Sequence, residues 1–186
     1  MRLVTNMVHE SFLLITEDSP ASYSPAGQRA RHMALACSSI SKRVRLLTLG
    51  GKRSWKRGRT EPQSPVLHYS IDFARGMPYP ISAFFDPIKL SIFFVYGFIM
   101  CKRNNISCII ASMPPFETGA SAYLLARFLN KKLIIDLMDD WEASLESNLT
   151  RFIPLKLLLL VFSASNRIYS SSTGILAVTS IIADTI

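Results

Sequence analysis

Three aspartates and a tryptophan close one short apolar run, Leu133-Ile134-Ile135-Asp136-Leu137-Met138-Asp139-Asp140-Trp141. Leu133 to Ile135 has the size and composition of a strand buried on both faces, with Lys131 and Lys132 at its entrance. Unpaired carboxylates cannot follow such a run into a core, since burying one costs several kcal/mol or more. The acids therefore belong at the carboxyl end of the strand, where open α/β sheets keep their ligand crevice. A carboxylate held there beside a hydroxyl can orient it or take its proton. An aspartate at 139 or 140 would equally suit the cap of a following helix, and these residues alone leave both readings open.

A second candidate lies near the start of the chain. Pro25-Ala26-Gly27-Gln28-Arg29 follows a loop rich in Ser, Pro and acid, and opens a helix running to about Ile40. The glycine allows a tight turn, and N–H groups at a helix start can receive an anion. No GxGxxG is present, which argues against a dinucleotide cofactor. A third feature is the stretch from Lys52 to Arg59, with Lys52, Arg53, Lys56, Arg57 and Arg59 around Trp55 and no acid among them. It reads as a basic loop, either solvated or gripping phosphate or anionic headgroups. With no groove-reading helix and no repeated aromatic platform, nucleic acid is not an expected partner. His9, His32 and His68 are scattered and read as surface or structural residues rather than ligands. Cys37, Cys101 and Cys108 form no CxxC, so neither a disulfide framework nor a metal site is expected.

The elements that must position these groups alternate along the chain. Phe12 to Thr16 reads as the first strand, Val44 to Leu49 as the second and Val66 to Tyr69 as the third. Cys108 to Ala111, the run ending at Asp136, and Ile175 to Thr179 come next as strands. Helices are expected from Pro25, from Ile88 to Arg103, from Glu117 to Asn130 and from about Pro154 to Tyr169. In the first of these, Ala30, Met33, Ala34 and Cys37 share a face; in the third, Leu124, Leu125, Phe128 and Leu129 are expected to point inward. Strand and helix in alternation imply an α/β fold, a doubly wound, mostly parallel sheet of about six strands.

The totals are compatible with that fold. A length of 186 residues suits one domain of ordinary size, and 49% hydrophobic with 18% charged residues excludes a disordered chain. A net charge of +8 favours anionic partners. Ser91 to Cys101 and Leu157 to Phe162 are nearly all apolar, but neither reaches the roughly 18 to 20 residues that a spanning helix needs. Free thiols and the lack of a signal-like start lead us to expect a cytoplasmic chain, with peripheral contact to an anionic inner membrane face through the basic loop.

Four features fall in a familiar order: Pro25 to Arg29; Ile109-Ile110-Ala111-Ser112-Met113-Pro114-Pro115; Asp136-Leu137-Met138-Asp139-Asp140-Trp141; and Ala177-Val178-Thr179-Ser180. Together they resemble the N-terminal domain of family 4 glycosyltransferases, retaining enzymes of GT-B fold built from two facing Rossmann-like domains. The resemblance implies a tail over residues 1–11 and a single Rossmann-like GT-B half over 12–186. It also implies a loop at Gly27, Gln28 and Arg29 near the donor diphosphate. Asp136, Asp140, Trp141, Pro114, Pro115 and Phe116 would border the acceptor, and Asp139 would be the catalytic carboxylate. Met138 stands where the family pattern usually has arginine.

By the same resemblance the chain would be a half-enzyme with no cofactor of its own. It would take a glycan or lipid-linked acceptor, while the nucleotide-sugar donor would be held mainly by a C-terminal domain that these 186 residues do not include. Transfer is then expected only with a second half, from a partner chain or a longer polypeptide. The alternative expectation is a non-catalytic binding or scaffold module that acts with a partner protein.

Overall fold

The computed structural model describes residues 10–18, 20, 24–49, 56–59, 66–71, 86–138 and 155–177, the side chains of 56–59, 86 and 155–159 excepted. Strand β1, Phe12–Thr16, is buried at every residue, as an unbroken apolar run requires if both sides are covered. It lies between β2, Val44–Leu49, and β5, Cys108–Met113. Beyond β2 come β4, Leu67–Ile71, and the edge strand β3, Lys56–Arg59; beyond β5 come β6, Lys132–Leu137, and β7, Gly174–Ala177. Every described pairing is parallel except that of β3 with β4. Renumbering β1, β2, β4, β5, β6 and β7 as strands 1 to 6 gives the order 3-2-1-4-5-6 of a Rossmann domain.

The basic stretch thus departs from the expected loop, since Lys56–Arg59 pairs antiparallel with β4. Its residues lack apolar alternation, so periodicity could not reveal it; charged residues are nevertheless well suited to a sheet edge that must not recruit further strands. Among the described residues the six parallel strands are those of the expected sheet, and β3 adds an antiparallel edge strand.

Alternation along each strand sorts the core into two clusters. Phe12, Leu14, Val44, Leu46, Cys108 and Ile110 pack on one side with Ala34 and Cys37 of helix α1, Pro25–Ile40. Met33 joins them half-buried. Leu13, Ile15, Leu47, Ile109, Ala111, Met113 and Ile135 pack on the other with Phe93, Leu125 and Ile168. Those three come from helices α2, Asp86–Asn104, α3, Phe116–Leu129, and α4, Leu155–Ser171. A Cβ built on Gly97 would come within 2.5 Å of Leu125 Cδ1, so α2 and α3 meet closely there and a side chain at 97 would require the Leu125 tip to shift.

Helix α3 turns differently from the expected face. It buries Leu125 together with Gly119, Ala120, Ser121, Ala122 and Ala126, small residues that permit close approach to the sheet, while Leu124 and Phe128 point out at 43% and 70% exposure. Leu125 is inward as expected and Leu129 is half-buried. Among the described residues no helix is long and apolar enough to cross a membrane.

Candidate functional site at the carboxyl end of the sheet

On the α1 side, the strands change from apolar to polar at one level. Leu14 is followed on that face by Thr16, Leu46 by Thr48, Ile110 by Ser112 and Ile134 by Asp136. Thr16 pairs with Thr48, Thr48 with Ser70, and Ser112 with Asp136, so these side chains form a row across the carboxyl ends. All five are buried. Burying hydroxyls and a carboxylate in a row is unfavourable unless partners are supplied.

Asp136 receives the strongest partner. Fully buried at 0% exposure, its Oδ1 accepts from Arg29 Nε at 2.9 Å and Nη2 at 2.5 Å, and its Oδ2 lies 3.0 Å from the same Nε. Ser112 Oγ donates to Oδ2 from the neighbouring strand at 3.4 Å. The guanidinium therefore meets the carboxylate as a fork, a geometry lysine cannot reproduce. These bonds to Asp136 raise the Arg29 pKa above its ordinary value, against the opposing effect of partial burial. A carboxylate so occupied is a clamp for Arg29 rather than a ready proton acceptor.

Arg29 is delivered by the first turns of α1. Ser24 caps that helix, its Oγ accepting the Gly27 N–H at 3.0 Å and donating to Asp18 Oδ2 at 2.5 Å, with Pro25 at the first helical position. Gly27 is consequently helical and buried rather than the pivot of a turn. Its N–H is spent on the cap, and that of Gln28 on the Ser24 carbonyl at 3.0 Å. The Arg29 guanidinium at this corner remains 31% exposed.

Beside it, β5 ends in the proline turn. Pro115 occupies the cap position of α3, and Thr118 Oγ1 donates both to the Ser112 carbonyl and, at 2.7 Å, to that of Pro115. The Met138 N–H donates to the Met113 carbonyl at 2.8 Å, so Pro114 and Met138 leave the sheet side by side. Pro114, Pro115 and Phe116 are half-buried there. Of the residues singled out from sequence, Gly27, Gln28, Arg29, Asp136 and Pro114 to Phe116 thus collect at the carboxyl end of the sheet. Asp139, Asp140 and Trp141 lie outside the described residues.

A second charged cluster sits on the opposite face of the same sheet end, and sequence reasoning missed it. Lys89, on the first turn of α2 and 8% exposed, places Nζ 3.2 Å from Glu17 Oε1 and 3.3 Å from Glu117 Oε1. Glu17 directly follows β1 and Glu117 opens α3, just after β5, so the cluster straddles the point where the strand order reverses. Its legible signal was a lone lysine in an apolar helix together with an acid just past each of the two central strands. Among the described residues, no group of His, Cys, Asp and Glu could hold a metal ion.

No protein-family model matches this sequence. No curated protein matches it either. Among solved structures, the chain is similar to the sucrose-phosphate synthase of Thermosynechococcus elongatus, with a TM-score of 0.59 at 13% identity over 90% of this chain. It spans 42% of the length of that protein. At that identity the likeness speaks for the fold, a Rossmann-like α/β domain matching one half of a GT-B architecture.

Proposed function

We propose that residues 12–186 are the acceptor-side half of a glycosyltransferase, moving a sugar from a nucleotide-sugar donor to a glycan or lipid-linked acceptor. The observation that carries this reading is the Arg29–Asp136 fork, which sets a fixed, part-exposed cation at the carboxyl end of a GT-B-like sheet. Such a cation suits the diphosphate of a donor brought to the cleft by a second domain. Pro114, Pro115 and Phe116 offer a stiff, partly apolar wall to the acceptor, and the resemblance to family 4 glycosyltransferases makes Asp140 and Trp141 further acceptor residues.

The acceptor hydroxyl must lose its proton as the glycosidic bond forms. Asp136 is committed to Arg29, and by the resemblance to family 4 glycosyltransferases Asp139 is assigned the role of orienting that hydroxyl and taking its proton. Transfer with retention of configuration, as in family 4 glycosyltransferases, requires the second half, from a partner chain or a longer polypeptide. Reconstitution tests this: the chain with a complementing donor domain should transfer sugar, and Asp139→Ala should lower kcat by about 10²- to 10⁴-fold. Full activity of Asp139→Ala would remove the catalytic assignment. Met138, at the position where arginine is usual, favours the second reading, a non-catalytic module that binds a partner. That reading requires a reconstituted pair that binds nucleotide sugar and acceptor without turnover.

A further inference from the structure

The outer surface of α2 and α3 has no role in the crevice, yet its composition is unusual for a solvated face. Along α2, Ile88, Val95, Tyr96 and Ile99 are exposed by 36% to 51%, and α3 adds Leu124 and Phe128. Phe128 is anchored at its base, its ring 6.4 Å from that of Phe94 and 5.9 Å from that of Phe98, while most of its area remains open. Contiguous exposed apolar area of this kind marks an interaction surface.

Charge at the C-terminal ends of the two helices is one-sided. Lys102 and Arg103 end α2 and Arg127 lies in the last turn of α3, all three exposed, with Lys102 Nζ 5.9 Å over the Phe98 ring. The carboxylate of α3, Glu117, is turned inward at 5% exposure, and from Pro87 onward α2 contains no acid. An apolar centre with a cationic rim at the C-terminal ends of its helices, Asp86 lying at the other end of α2, is complementary to a surface that is apolar inside and anionic at its edge. A bilayer with anionic headgroups has that order: aromatic and aliphatic side chains enter the acyl boundary while lysine and arginine reach back to phosphate.

We infer that the α2–α3 face is a docking surface for an anionic lipid bilayer, with Phe128, Val95 and Ile99 inserted and Lys102, Arg103 and Arg127 on the headgroups. This face is distinct from the basic segment around Trp55. It does not depend on the transfer reading, because none of its residues belongs to the crevice.

Vesicle co-sedimentation of the full chain tests the inference. With phosphatidylcholine containing about a third phosphatidylglycerol, wild type should bind, and binding should weaken as salt rises. Phe128→Ser and the Arg127→Glu, Lys102→Glu double variant should each weaken binding about tenfold or more while the chain remains folded by circular dichroism. Phe128→Trp should retain it. Equal binding of wild type and both variants, or loss only on changing Lys52 and Arg53, would overturn the assignment. So would wild type that ignores vesicles and instead forms a dimer abolished by Phe128→Ser.

Discussion

The two charged clusters at the carboxyl end of the sheet solve the same problem in different ways. On the α1 face, a planar guanidinium grips one buried carboxylate through several hydrogen bonds, with Ser112 completing the shell. On the α2–α3 face, a single ammonium is shared by Glu117, whose side chain is 7% exposed, and Glu17, at 41%. The first is a rigid fork that fixes direction; the second is a point charge whose solvent-facing partner is free to exchange for water. A cluster that positions a ligand group needs the first property, and one that holds three element ends together needs only the second.

Substitutions should break this contrast in a graded way. Arg29→Ala leaves a fully buried carboxylate with Ser112 as its remaining donor among the described residues, and we expect the largest loss, about 3 to 5 kcal/mol in urea unfolding. Arg29→Lys should recover less than half of that, because the fork is not rebuilt. Lys89→Met should cost less, about 1 to 3 kcal/mol, because the methylene stem still packs and only Glu117 is left buried. Glu17→Gln should cost at most about 1 kcal/mol, as exposed pairs do. Equal losses for Arg29→Ala and Glu17→Gln would erase the distinction.

A titrating group away from both clusters sharpens the comparison. Burial holds His68 at about 4 in place of its ordinary 6.5, with its Nε2 2.9 Å from Thr48 Oγ1. Between those values the unfolded chain carries more protons than the folded one. Stability should therefore be full above pH 6.5 and decline as pH falls toward 4, by on the order of 2 kcal/mol. His68→Gln should flatten that segment of the curve. The smallest expected effect concerns the thiols. Burial pushes Cys37 and Cys101 to about 11 and Cys108 to about 12, so native protein near neutral pH should resist alkylation until it unfolds.

The architecture was legible because strands buried on both faces leave long apolar runs, and β1, β2, β5 and β6 each carry one. Their ends were harder to place. Ser112 and Met113 extend β5 past the expected stop because Asp136 and Leu137 continue the ladder beside them. Strand β3 was hidden, as its residues are basic and its existence depends on pairing with β4. The outward turn of Phe128 was hidden too: the apolar stripe of α3 is broad, and the helix buries mostly small residues together with Leu125. Within the site, Asp136 and Arg29 were singled out from separate motifs, but nothing in their spacing announced that they touch across 107 positions. Lys89 was overlooked because Glu17 and Glu117, which it meets, lie in different segments.

The central claim is that the ligand end of this domain is organised around the Arg29–Asp136 fork. Amide chemical-shift mapping of the folded chain, titrated with nucleotide sugars and then with oligosaccharide acceptors, tests it most directly. The account predicts shifts concentrated at Gly27 to Arg29, Ser112 to Thr118 and Asp136 to Met138, and their disappearance in a folded Arg29→Lys variant for the diphosphate ligand. Saturable shifts confined to the opposite end of the sheet, around Asn130 and Ser171, would contradict it.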